Sequence, residues 1–342
     1  MAAVDIHGHC VPRAFLDEVV ALQPFGVRAE AHVGCYLVTM PGRETLRPVA
    51  GVMLDGPDRW EWMARQGLTH QIVGPWLDIQ GQELPARDGV HWARLLNDAL
   101  AQLAADTTLP GEPPRLSTYA TLHLADAGLA ADELRRAVGD LGLCGAMIPA
   151  TLPSGSLSEP RYDTLWAAAV EFGAPIMVHA TTQSPATELL ARYPSLRGLF
   201  ARHIEASLVT AELIVSGVLD RFLQLRFIAV HGGGLLPYQA GRFDNDTCDA
   251  RGRTDSPRDP SEILGSFYYD TVLMTKTAIR FLIDYAGPDR VMVGSDFGAA
   301  PAERGGVSVS GAVVAAQADP AVTAAILHGT AERVFGLDLH RI

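Results

Sequence analysis

The chain has 342 residues, of which 48% are hydrophobic and 19% charged, and it carries a formal net charge of −12. That length suits one barrel domain as well as two smaller domains, and the apolar fraction is ample for a large core. Lys276 is the only lysine, and so acidic a chain is a poor match for nucleic acid or an anionic membrane.

The cysteines Cys10, Cys35, Cys144 and Cys248 are scattered, with no CxxC pair. Neither a thiolate metal site nor a disulfide framework is suggested. No leader-like segment opens the chain and no long apolar run follows, so a soluble, cytoplasmic protein with reduced thiols is expected.

In chain order, Val4 to His9 alternates like a strand. A proline-started helix follows from Pro12 to Val20. Residues 24 to 56 are irregular apart from a short strand at Gly34 to Val38, which reads as half of an inserted hairpin. Asp58 to Gln66 reads as a helix and His70 to Val73 as a second main strand. His91 to Asp106 is a helix whose apolar face carries Trp92, Leu95, Leu96, Ala99, Leu100 and Leu103. Leu116–Thr121, Cys144–Ile148 and Pro175–Val178 read as strands three to five, separated by helices at Ala130–Leu141 and Arg161–Phe172.

After a helix at Ala206–Gly217, Leu225 to Val230 is a sixth strand. Pro237–Cys248 reads as a helix, Phe267–Thr271 as strand seven, Lys276–Ala286 as a helix and Arg290–Gly294 as strand eight. Helical turns from Asp319 to Gly336 close the chain. Eight strands alternating with helices predict an α/β fold, a parallel (β/α)8 TIM barrel in one domain over residues 1–342. The stretch from about 10 to 66 would hold a small insertion after strand one. No glycine-rich phosphate fingerprint follows the first strand, which weighs against an open doubly wound sheet.

In a parallel barrel the chemistry sits at the C-terminal strand ends. His7 and His9 are two apart on a strand, so both imidazoles face one side. A lone His-x-His pair is common in solvated segments. Here strand five runs into His179, strand six into His231 and strand eight into Asp296, and that joint placement is hard to reach by accident. Three imidazoles and a carboxylate suit one zinc-like ion with a position left open for water, although another divalent transition metal is compatible. The expected ligands are His7, His9, His179 and Asp296. His231 is expected to be the acid/base beside the metal-bound water. The residues leave open a swap, with His231 as ligand and Asp296 as the base. The sole lysine lies far from the fourth strand end, so a lysine-bridged metal pair is not expected.

The set His7-x-His9, Val178-His179, Val230-His231-Gly232-Gly233-Gly234 with Gly241-Arg242, and Val293-Gly294-Ser295-Asp296 resembles the amidohydrolase superfamily. Within it the chain is most similar to the branch typified by aminocarboxymuconate-semialdehyde decarboxylase. The likeness runs to Thr330-Ala331-Glu332-Arg333-Val334-Phe335-Gly336. It implies one zinc, non-oxidative loss of CO2 from an unsaturated or aromatic carboxylic acid, and a homodimer. It also implies that His231 carries the proton, that Arg47 in Arg47-Pro48-Val49 grips the substrate carboxylate, and that Arg242 reaches the neighbouring subunit's site. A planar guanidinium suits that grip. His7, where manganese-dependent relatives carry Glu, points to the zinc-type subgroup.

Two loops depart from the pattern: Ala180-Thr181-Thr182-Gln183 replaces Pro and Trp-Asp, and Phe297-Gly298-Ala299-Ala300 replaces Tyr-Pro-Phe. Both remove bulk near the metal, so a larger or differently shaped acid is expected. Trp76, after strand two, either lines the mouth of the site or is a buried structural ring. His203 is read as structural or solvated. A hydrolase or hydratase on the same scaffold is the alternative activity.

Overall fold

The structure, a computed structural model, describes residues 3–43, 48–108, 114–182, 184–248, 256–298, 308–316 and 319–339. Strand β1 (Val4–His9) leads into helix α1 (Arg13–Leu22) and then an antiparallel sheet of β2 (Arg28–His32), β3 (Cys35–Thr39) and β4 (Val49–Ala50). The expected insertion is therefore three-stranded; β4 is only two residues long. After helix α2 (Pro57–Gln66) come β5 (His70–Gly74), α3 (Ala86–Asp106), β6 (Leu116–Thr118), α4 (Ala127–Gly139) and β7 (Ala146–Pro149). Helix α5 (Asp163–Glu171), β8 (Ile176–His179), α6 (Pro185–Leu189) and α7 (Arg197–Val215) follow, then β9 (Phe227–Ala229), β10 (Tyr268–Asp270) and β11 (Val291–Met292).

The eight main strands are all parallel and form two ladders, β1-β5-β6 and β7-β8-β9-β10-β11. Parallel neighbours need a long crossover, and the helices supply it. Isolated parallel bridges span the two seams, Ala120 to Ala146 and Gly8 to Phe297. At the second seam Ile6 N–H donates to Val293 O and Asp296 N–H to His7 O, at 2.8 and 2.7 Å. The strands thus follow one another in chain order round a ring, as the sequence predicts.

Alternation along the strands sorts the core. Met147, Met177, Ile228, Tyr268 and Met292 pack together in one cluster with Ile72 and Tyr119. Their chain neighbours Ile148, Val178, Phe227, Tyr269 and Val291 pack in the other direction with helical residues such as Leu134, Trp166 and Leu213. A third cluster lies under the inserted sheet and includes Phe15, Val27, Val38, Trp76 and Trp92. Trp76 is only 3% exposed. Of the two alternatives, the buried ring is the one its packing in that cluster supports.

Local signals set the helix ends. Asp126 caps α4 by accepting from Leu129 N–H, and Thr275 caps the helix Lys276–Ala286 by accepting from Ala278 N–H. Pro57 starts α2, and Gly67 at φ 71° ends it. Helix α7 begins nine residues before the expected Ala206, at Arg197. Its first turns hide their periodicity because Leu199 and Phe200 point outward, 57% and 46% exposed. Among the described residues, no helix is long and apolar enough to cross a membrane.

Candidate metal centre and active site

Two strand ends and two sharp turns bring the expected residues together. His7 and His9 finish β1, and His179 finishes β8. His231 sits in the turn after β9 with φ 54°, and Asp296 follows β11 with φ 57°. A left-handed backbone at a non-glycine residue costs roughly 1–2 kcal/mol and persists only where its surroundings enforce it. The enforcement here is visible. Asp270 accepts from His231 N–H and Gly232 N–H at 3.0 and 2.9 Å. Asp5 accepts from the N–H of both His7 and Ser295 at 3.0 Å, tying β1 to the residue before Asp296. Gly232 and Gly233, at φ 61° and 80°, complete the turn. A Cβ on Gly233 would stand 2.7 Å from the Tyr269 ring, so the glycines permit close packing, as expected.

All five side chains are buried. Their arrangement divides at Asp296. Its Oδ1 lies 3.0 Å from His9 Nε2, 3.6 Å from His7 Nε2 and 4.0 Å from His179 Nε2. Its Oδ2 lies 3.7 Å from His231 Nε2. Donors on one tetrahedral zinc-like ion stand about 3.3 Å apart, given bonds of about 2.0–2.1 Å. The first three distances bracket that spacing. Ligand atoms from His7, His179, His231 and Asp296 also all fall within 4.8 Å of one another. That group takes in His231 and leaves out His9, although His9 is the ring nearest Asp296 Oδ1; the carboxylate oxygen each ring faces is what favours His9 as the ligand.

The rings are preset for coordination. His179 Nδ1 donates to Ala180 O at 2.7 Å, and His7 Nδ1 to Asp270 Oδ2 at 2.6 Å. Each bond occupies the Nδ1 proton and leaves the Nε2 lone pair facing inward. Both of those Nε2 atoms are buried without a hydrogen-bond partner among the described residues. A buried imidazole nitrogen with no partner is costly unless something binds it. Three converging imidazoles, a carboxylate and these orphaned atoms fit a divalent ion.

Electrostatics agree. Burial, reinforced by the other imidazoles, holds the His179 pKa well below the usual histidine value. Burial likewise lowers His9 and outweighs its contact with Asp296. Burial also presses on His7, but its bond to Asp270 and the nearby carboxylates win, and its pKa is raised. Burial disfavours charge on Asp296, yet the facing His231 and His9 rings hold its carboxyl well below the usual range. Asp270 is lowered in the same way, its bond to His7 outweighing burial. The lowered His9 and His179 and the ionised carboxylates are in the forms a metal ion takes up, while His7 would have to release its proton on binding.

The other expected residues are placed apart. Arg47 lies outside the described residues. Arg242 is 77% exposed and pairs with Asp246 at 3.5 Å, so within one chain it stands away from the cluster. Three residues without a sequence-based role do meet the site. Asp270 ends β10, so the strand-end argument that found His179 could have found it. Arg202 on α7 brings Nη1 to 3.8 Å from Asp296 Oδ2. His203, read as structural or solvated, packs its ring 5.2 Å from that of His231. Nothing in the sequence around Arg202 and His203 marks them.

Past His179, the loop is tied down by Thr182, whose N–H and Oγ1 both donate to Asp78. Beside it a cavity of about 300 Å3 is lined by Arg43, Asp78, Gln82, Thr181 and Glu188 among others, and by none of the five cluster residues.

The amidohydrolase family model matches residues 4–337. Over 304 residues the chain is 24% identical to the 2-amino-3-carboxymuconate-6-semialdehyde decarboxylase of Dictyostelium discoideum, covering 86% of this chain and 81% of that one. It is 29% identical over 233 residues to the gamma-resorcylate decarboxylase of Rhodococcus jostii, covering 63% and 69%. In fold it resembles the 5-carboxyvanillate decarboxylase of Sphingomonas paucimobilis, with a TM-score of 0.82 at 22% identity over 98% of this chain and 99% of that one.

Proposed function

The chain belongs to the amidohydrolase family, and from that premise we propose that it is a metal-dependent, non-oxidative decarboxylase of an aromatic or unsaturated carboxylic acid. The observation that carries this is the division at Asp296: three imidazole Nε2 atoms gather at Oδ1 and His231 Nε2 stands at Oδ2. That is the layout of a metal centre with a separate acid beside it. The decarboxylase relatives supply the reaction type.

In this reading His7, His9, His179 and Asp296 hold the ion, and Asp270 and Ala180 O keep two of the rings turned inward. Zinc is the ion that suits the imidazole-rich set best. When bound, the ion supplies a fixed positive charge that orients and polarises the substrate. His231 protonates the carbon that bears the carboxylate. The ring or double bond lends the electron pair for that new C–H bond, and the adjacent cation is quenched when the C–C bond breaks and its electrons return. CO2 departs and His231 regains its proton from solvent. The turn pinned by Asp270 fixes where that imidazole stands, which is the geometric requirement for proton transfer.

Arg47 remains a proposed carboxylate contact. Arg242 is proposed to act across the interface of a homodimer, since its guanidinium is free to leave its exposed partner Asp246. The cavity beside Thr181 and Asp78 would take the rest of the acid.

The test is mass spectrometry of zinc- or manganese-loaded protein with hydroxybenzoic acids and unsaturated dicarboxylic acids. Loss of CO2 from any member is the expected result. Gain of water or cleavage into two fragments would overturn it in favour of a hydratase or hydrolase on the same metal centre.

A further inference from the structure

Arg202 lies on α7, outside the strand ends that build the cluster, yet its guanidinium turns inward. Its side chain is 15% exposed and Nη1 stands 3.8 Å from Asp296 Oδ2. That contact is too long for a hydrogen bond, and no hydrogen bond from Arg202 is found among the described residues. Arg59, which also approaches the cluster, has both Nη atoms committed: Nη1 donates to Gln71 Oε1 at 2.6 Å and Nη2 to His9 O at 2.8 Å. Arg202 thus holds a partly buried fork of N–H donors at the centre, its nitrogens still open to solvent and so open to a ligand. A carboxylate is the group that fills a guanidinium fork bidentately.

Its position gives the fork a task. His231 and Arg202 both face Oδ2, while the metal-competent imidazoles face Oδ1. An anion seated on Arg202 would therefore lie on the same side of Asp296 as His231. We infer that Arg202 is a substrate-binding residue that seats an aromatic or unsaturated carboxylate beside His231. The inference deepens the decarboxylase reading and rests on it for the substrate class. The adjacent His203, packed on the His231 ring, anchors the same turn of α7 at the site.

A second role would explain the contact equally simply: Arg202 could serve only to neutralise Asp296. Metal content separates the two. The experiment compares zinc-loaded wild type, R202Q and R202K by calorimetry. The probes are salicylate and 2,6-dihydroxybenzoate, each against its primary amide, with metal measured in every sample. Wild type should favour each acid over its amide by tenfold or more. R202Q should bring acid and amide within about twofold while keeping its metal. R202K should keep part of the preference, because it retains the charge and loses the fork.

An acid preference that survives in R202Q overturns the inference, as does wild type with no preference. Loss of metal from R202Q and R202K alike also overturns it and assigns the arginine to Asp296. Circular dichroism of R202K guards against a folding defect. Turnover of the same acids is read separately. Acid preference lost in R202Q, with wild type adding water to or cleaving its acids instead of releasing CO2, would sink the decarboxylase reading and leave the Arg202 assignment standing.

Discussion

Asp270 joins the two halves of the centre: its Oδ2 accepts from His7 Nδ1 at 2.6 Å and from His231 N–H at 3.0 Å. One buried carboxylate therefore sets the orientation of a proposed ligand and the backbone turn that presents the proposed acid. Asp270→Asn keeps the size but removes the charge, and its amide end cannot accept from both donors as well. Metal affinity and kcat should both fall, each by roughly 10- to 100-fold, the usual cost of losing a ligand's orienting partner. Metal titration and turnover measure the two. A change in neither would show that His7 and His231 are held by other contacts.

The division at Asp296 predicts opposite behaviour from His231 and His9. His231→Ala should lower turnover by roughly 10²- to 10⁴-fold, the usual worth of a positioned acid, with metal content near that of wild type. His9→Ala and His179→Ala should lose metal first and turnover as a consequence. Metal analysis of the three purified variants is the check. Metal lost from His231→Ala and retained in His9→Ala would reverse the assignment, which the 4.8 Å grouping leaves geometrically open.

Removing the ion with a chelator should abolish turnover and lower Tm, because a ligand that binds only the folded chain stabilises it by mass action. Adding back zinc or manganese should restore both, and the better restorer identifies the ion the donor set favours. A chelated protein with an unchanged Tm would mean that the orphaned Nε2 atoms of His7 and His179 had no metal to lose.

The strand ends explain what was readable in the sequence. His7 and His9 close an alternating strand, His179 and His231 each follow a run of apolar residues, Asp296 stands just past another, and a parallel barrel converts those linear positions into a common location. The fold came from the same alternation. The regions that were not readable share a physical reason. Helix α7 starts with outward-facing Leu199 and Phe200, so its first two turns carry no apolar stripe. Arg202 and His203 reach the site from a helix, where neighbours in sequence point about 100° apart and no local pattern reports the target. Asp270 obeyed the strand-end rule, but a carboxylate that binds a ligand's far nitrogen has no motif of its own. Trp76 could not be settled from sequence because the insertion that buries it has an irregular pattern.

Glu205 gives a pH prediction away from the metal ligands. It is 5% exposed on α7, beside a cavity of about 280 Å3, and neither carboxylate oxygen has a hydrogen-bond partner among the described residues. Burial raises its pKa above the usual 4.5, against weaker opposing contributions from Ser184, the Ala186 backbone and Thr151. A raised carboxyl pKa means the folded state prefers the protonated form. The stability gained that way is present below the unfolded value and is lost as pH rises through the folded value. As pH rises, the fold must either hold that proton against solvent or carry a buried, poorly partnered charge, and either one costs stability. Glu205→Gln is neutral throughout and should raise Tm at pH 8 by about 2 °C or more, with the difference closing near pH 4. The measurement is Tm against pH for both proteins. A lower Tm for the variant at pH 8 would mean that the ionised Glu205 is stabilising, and so is partnered in solution.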